Sequence, residues 1–128
     1  MNLRIDLQSS APVYRQIVDG LRILLVNGKL NPGDTLPPVR RLALDLGVHF
    51  NTVAEAYRTL AEEGWLEIER RSGARVLPRT APDRVAPEAA EGFQRRLREL
   101  VAEVQAHGFA RGRIARELRR LAEALERT

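Results

Sequence analysis

Residues 37–65 read Pro37-Pro38-Val39-Arg40-Arg41-Leu42-Ala43-Leu44-Asp45-Leu46-Gly47-Val48-His49-Phe50-Asn51-Thr52-Val53-Ala54-Glu55-Ala56-Tyr57-Arg58-Thr59-Leu60-Ala61-Glu62-Glu63-Gly64-Trp65, and this stretch decides the fold. Two prolines can open a helix but cannot lie inside one, and Val39, Leu42, Ala43 and Leu46 then supply a buried face. Gly47 breaks that helix after two to three turns. A further helix follows from about Asn51 to Glu63, with Val53, Ala56, Tyr57 and Leu60 at i, i+3, i+4 and i+7. A short helix, a glycine turn and a second helix with a polar, threonine-bearing start form a helix-turn-helix, whose second helix enters the major groove of DNA. The small Ala43 suits the crossing of the two helices, and Val53 and Ala56 hold their angle from inside.

Upstream, Ser9-Ser10-Ala11-Pro12 offers capping hydroxyls and a proline for a helix start. Val13, Ile17, Leu21 and Leu24 then mark a first helix running to about Asn27, with Gly28 behind it and a turn at Leu30-Asn31-Pro32-Gly33-Asp34. Downstream, Trp65-Leu66-Glu67-Ile68-Glu69 alternates in strand fashion, Arg70-Arg71-Ser72-Gly73 makes a basic turn, and Ala74 to Leu77 can return as its partner. That hairpin supplies a wing. The first domain therefore covers residues 1–78, and the proline-bearing stretch 79–87 is a linker.

In residues 88–128, Phe93, Leu97, Leu100, Val101 and Val104 mark one helix, and Ile114, Leu118, Leu121, Ala122 and Leu125 another, with Gly108 between them. Two amphipathic helices of this size cannot bury both stripes within themselves. An identical helical hairpin from a second chain is the simplest cover, so these residues are expected to form a homodimer interface. The fold class expected is mainly α with a small β-hairpin: a winged helix-turn-helix domain plus a C-terminal two-helix dimerisation hairpin.

Composition narrows the function. The chain has 128 residues, 44% hydrophobic and 30% charged, with a formal net charge of +4, and all but one of its 21 basic side chains are Arg. The planar fork of Arg suits phosphates and guanine edges. Without cysteine there is no disulfide, thiolate metal site or thiol nucleophile, and only His49 and His107 offer imidazole. No metal, no cofactor and no enzymatic activity are expected, since no nucleophile–base pair is present. The longest apolar run, Ile23 to Val26, is far short of the roughly 20 residues a membrane span needs, and no signal-peptide core is visible, so a cytoplasmic location is expected.

Beyond these patterns, several spaced motifs resemble the winged helix-turn-helix domain of GntR-family bacterial transcription regulators. They are Pro12-Val13-Tyr14-Arg15-Gln16-Ile17, Gly28-Lys29-Leu30-Asn31-Pro32-Gly33-Asp34-Thr35-Leu36-Pro37-Pro38-Val39-Arg40, Leu46-Gly47-Val48, Asn51-Thr52-Val53 and Glu63-Gly64-Trp65-Leu66. The short tail, with Ala106-His107-Gly108-Phe109 between two helices, resembles the YtrA-type subfamily, which has a two-helix dimerisation appendage and no dedicated small-molecule effector domain. The resemblance implies a double-stranded DNA operator as partner, a homodimer and repression. Arg40 matches the arginine that touches phosphate or a base edge, Asn51 and Thr52 match polar residues at the start of the recognition helix, and Gly73 matches the glycine at the wing tip. The sequence departs from the pattern at His49-Phe50, where Ser-Arg is common, at Ala54 in place of an arginine, and at Arg75 in place of a wing aromatic.

Residues 48–60 hold only Glu55 and Arg58 as charges, whereas the wing region holds Arg70, Arg71, Arg75 and Arg79, so anchoring is expected from the second helix and the wing. His49 reads either as a phosphate donor or as a helix cap. Phe50 either packs on the C5 methyl of thymine or folds back onto the protein. Tyr57 and Trp65 read as core rather than as a base-stacking platform. The alternative to DNA binding is a winged-helix adaptor for protein contacts.

Overall fold

The computed structural model describes residues 3–70, 73–79 and 85–127. Element order is α1 (Val13–Val26), β1 (Thr35–Leu36), α2 (Val39–Leu46), α3 (Phe50–Glu62), β2 (Leu66–Glu69), β3 (Gly73–Val76), α4 (Pro87–Ala106) and α5 (Arg111–Glu126). The chain divides into two compact units, Met1–Ala81 and Pro82–Thr128.

In the first unit, α1 packs on α3 through Ile17, Val18 and Leu21, and α2 packs on α3 through Leu42 and Ala43. Leu36, Leu66, Ala74 and Val76 close the core from the sheet side. Fully burying each of the larger side chains contributes about 1.5–3 kcal/mol, so this single cluster holds the unit together. Polar ties fix α1 on α3 at two further points: the Tyr14 hydroxyl lies 2.7 Å from Thr59 Oγ1, and Arg22 donates to both carboxylate oxygens of Glu63 at 3.0 and 2.8 Å.

The expected start of α1 needs correcting. No serine side chain caps it; the N-cap is Pro12, whose carbonyl accepts from Gln16. Ser9 Oγ instead accepts from the Ala11 N–H, ahead of the helix. Pro12 lacks an N–H and its ring fixes φ, so it can stand at the helix threshold without a hydroxyl cap. The Gln16 side chain ties down the preceding segment, donating to the Asp6 and Ala11 carbonyls and accepting from the Asp6 N–H.

The wing is a three-stranded antiparallel sheet of order β1-β3-β2 rather than a bare hairpin. Thr35 pairs with Arg75 and Leu36 with Ala74, while Leu66, Glu67, Ile68 and Glu69 face Val76, Arg75, Ala74 and Gly73. A two-residue strand ending at Leu36, just before Pro37, shows no periodicity, which is why the sequence pattern hid it. Pro37 cannot continue the strand's hydrogen-bond ladder, and α2 begins two residues later.

In the second unit, Pro87 is the first residue of α4 instead of the end of the linker, as suits a residue with no N–H to satisfy in a first turn. α4 and α5 are joined by a turn at His107–Ala110. Val101, Ile114 and Leu118 line one hollow near that turn.

Candidate nucleic-acid interface

The glycine turn at the heart of the helix-turn-helix is sterically specific. Gly47 caps α2 at φ 70° and ψ 36°, a left-handed conformation that side chains with a Cβ resist, and Val48 N–H returns to the Ala43 carbonyl at 3.0 Å. The turn brings His49 to the threshold of α3, where its Nδ1 accepts from the Asn51 N–H at 3.1 Å. Of the two readings of His49, the helix cap is the one the geometry displays, and the imidazole thereby satisfies one of the unpaired N–H groups of the first turn. α3 accordingly begins at Phe50, one residue earlier than its periodicity suggests.

Arg40, in the first turn of α2, and Phe50 come together across this turn. The guanidinium carbon of Arg40 lies 4.4 Å from the Phe50 ring centroid, and the His49 and Phe50 rings stack with centroids 4.7 Å apart. Phe50 is folded against protein side chains on its face yet stays 37% exposed. Asn51 is exposed and Thr52 half-buried, and the side chain of Asn51 makes no hydrogen bond among the described residues. Arg58 on α3 and Arg70 at the end of β2 are exposed and form no ion pair among the described residues.

Other members of the expected basic set are already engaged. Arg75 is held across the strands by Glu67 at 3.2 Å and Glu69 at 3.9 Å, which offsets its charge. Arg79 lies over the Trp65 ring at 4.3 Å and donates from Nε to the Glu63 carbonyl, capping the end of α3. Arg71 lies outside the described residues. Gly73 is no exposed wing tip: it is buried at φ 89°, and an added Cβ would collide with the Leu36 and Pro37 carbonyl oxygens. Its missing side chain serves the packing of β3 against β1. Tyr57 and Trp65 are not stacking platforms; Tyr57 is 0% exposed and Trp65 half-buried under Arg79.

The model of the "Bacterial regulatory proteins, gntR family" matches residues 13–76, half of the chain. The chain belongs to the GntR family. It is 40% identical over 74 residues to the HTH-type transcriptional repressor YtrA of Bacillus subtilis, covering 58% of this chain and 57% of that protein. It is 35% identical over 98 residues to the uncharacterized HTH-type transcriptional regulator YhcF of the same organism, covering 73% of this chain and 81% of that one. Among solved structures, YtrA from Sulfolobus acidocaldarius, a GntR-family transcription factor, aligns with a TM-score of 0.55 and 32% identity over 97% of this chain and 99% of that chain. The GntR-family chain is thus a winged helix-turn-helix transcription regulator of YtrA type.

The expected dimerisation residues divide. Phe93, Leu97, Leu100, Leu118, Leu121 and Leu125 are exposed, Val101 and Val104 half-buried, and Ile114 already buried within the single chain. Ile114 therefore supports the turn between α4 and α5 more than a partner's surface. Of the charged residues on these helices, Arg95 pairs with Glu99 at 3.8 Å and Arg120 with Glu117 at 3.3 Å, each along its own helix.

Proposed function

We propose that this GntR-family chain binds a palindromic DNA operator as a homodimer and acts there as a repressor in the cytoplasm. The observation that carries the DNA face is the clustering of Arg40 with the start of α3, where an exposed guanidinium without an anionic partner among the described residues stands beside Phe50, two residues before Thr52. Arg can fork onto guanine O6 and N7, Asn51 can pair with adenine, and Thr52 can donate to phosphate. Arg58 and Arg70 add positive charge for the phosphate backbone, whereas Arg75 adds less because Glu67 and Glu69 offset its charge.

The homodimer is supported by the second unit. Phe93, Leu100 and Leu121 are 67%, 54% and 58% exposed, and a stripe of that kind left in water invites association. A two-fold pair of winged domains reads inverted half-sites about one helical turn apart or a multiple of it.

Titrating the full chain against its own promoter fragment and against scrambled DNA at several salt concentrations tests the reading. Tight binding to one inverted repeat, with log affinity falling linearly in log salt, is expected. Equal, weak binding to both DNAs would favour a winged-helix adaptor for protein partners.

A further inference from the structure

Three arginines near the helix-turn-helix and wing are held by three different devices, and the differences matter for what each can still do. Arg75 sits between Glu67 and Glu69, so its charge is offset. Arg79 lies on an aromatic ring but also donates its Nε to a backbone carbonyl. Arg40 lies on the Phe50 ring, 4.4 Å from its centroid, with no ion pair among the described residues, while the adjacent Arg41 is taken up by Asp45 at 3.4 Å. A ring holds a guanidinium by its flat face, which leaves the in-plane N–H donors and the full positive charge available. A carboxylate would hold it as firmly and neutralise it.

From this contrast we infer that Phe50 is a positioning residue for DNA recognition: its ring pre-orders the Arg40 side chain without consuming the donors that meet DNA. The inference rests on the α2–α3 face being the DNA face. A long, exposed arginine loses rotamer freedom when it docks, and ordering it in the free protein removes part of that cost from the binding step. His49 completes the arrangement. Its imidazole is fixed by the bond from the Asn51 N–H and stacks on Phe50 with an interplanar angle of 24°, so the ring is itself held in place.

A double-mutant cycle on operator binding tests this, with Phe50→Leu, Arg40→Ala and the pair together, and Phe50→Tyr as the variant that keeps the ring. Phe50→Leu is expected to lower affinity for the operator roughly two- to fivefold, the range of an exposed cation–π contact. It should cost nothing further in the Arg40→Ala background, and Phe50→Tyr should bind as the parent does. In the DNA-free protein, NMR should show upfield ring-current shifts on the Arg40 Cδ protons that vanish in Phe50→Leu and persist in Phe50→Tyr. Unfolding curves check that Phe50→Leu folds, and Phe50→Met takes its place if it does not.

Equal losses from Phe50→Leu with and without Arg40 would mean that Phe50 touches DNA itself and would overturn the positioning role. So would an unchanged affinity in Phe50→Leu beside a weakened Arg40→Ala, and in that case the DNA face would stand. Loss-free Arg40→Ala, beside intact ring-current shifts in the parent protein, would instead remove the α2–α3 face from DNA, and the positioning role with it.

Discussion

The Tyr57 hydroxyl, on a side chain shut off from solvent in the middle of α3, donates a 2.7 Å hydrogen bond to the Pro37 carbonyl at the junction of β1 and α2. The same junction receives Gly73 of β3, whose absent side chain makes room for the Leu36 and Pro37 carbonyls. Recognition helix, wing and the start of α2, where Arg40 stands, are thus referred to one peptide unit. Removing that hydroxyl in Tyr57→Phe should cost about 1–2 kcal/mol of stability, the penalty for a lost buried hydrogen bond, as measured by chemical denaturation. Full stability in the variant would show the bond to be dispensable.

Burial also pushes the Tyr57 phenol well above its ordinary value of 10.0. The unfolded chain releases this proton near the ordinary value and the folded chain does not, so the folded state holds more protons there. The stability linked to Tyr57 is present in full below that pH and declines as pH rises beyond it. Unfolding free energies measured on both sides of pH 10 should fall more steeply for the parent than for Tyr57→Phe.

Two glycines separate backbone strain from collision. Gly33 and Gly73 both have positive φ, 93° and 89°, but an added Cβ meets nothing within 4 Å at Gly33 and two carbonyl oxygens at Gly73. Gly33→Ala should therefore cost only the conformational strain, of order 1–3 kcal/mol. Gly73→Ala should cost more and shift the wing. Equal unfolding midpoints for the two variants would count against the packing role assigned to Gly73.

If the proposed homodimer forms through the exposed apolar stripe, charge placed on that stripe should separate its subunits. Leu118→Asp and Leu97→Asp each lose the roughly 1.5–3 kcal/mol of a buried leucine and add an unpaired carboxylate. Light scattering at micromolar concentration should report monomers. A variant that stays dimeric would place the interface elsewhere.

For DNA, Arg40→Ala should weaken operator binding by about 1–3 kcal/mol if the side chain forks onto a guanine, and should relax preference at that base pair. A phosphate contact would weaken all sequences alike and lower the salt slope by about one. Binding measured on specific and scrambled DNA at several salt concentrations distinguishes the two.

By itself the sequence determined the local elements. Apolar spacing marked α1, α2 and α3 to within a residue or so, Gly47 marked the turn, alternation marked β2, the basic turn behind it pointed to β3 as its partner, and the stripes on α4 and α5 announced surfaces that one chain leaves open. These signals are short-range, because 3.6- and 2-residue periods and glycine's access to positive φ act between near neighbours. Tertiary structure alone decided what distant residues do to one another. Nothing in the chain's local pattern joins Thr35-Leu36 to β3, seats Arg40 on Phe50, pairs Arg75 with Glu67 and Glu69, or buries Gly73 against the Pro37 carbonyl. Each of these contacts depends on chain segments separated in sequence and brought together by packing on one core. Which arginines remain free to meet DNA follows from those contacts and not from how many arginines the sequence holds.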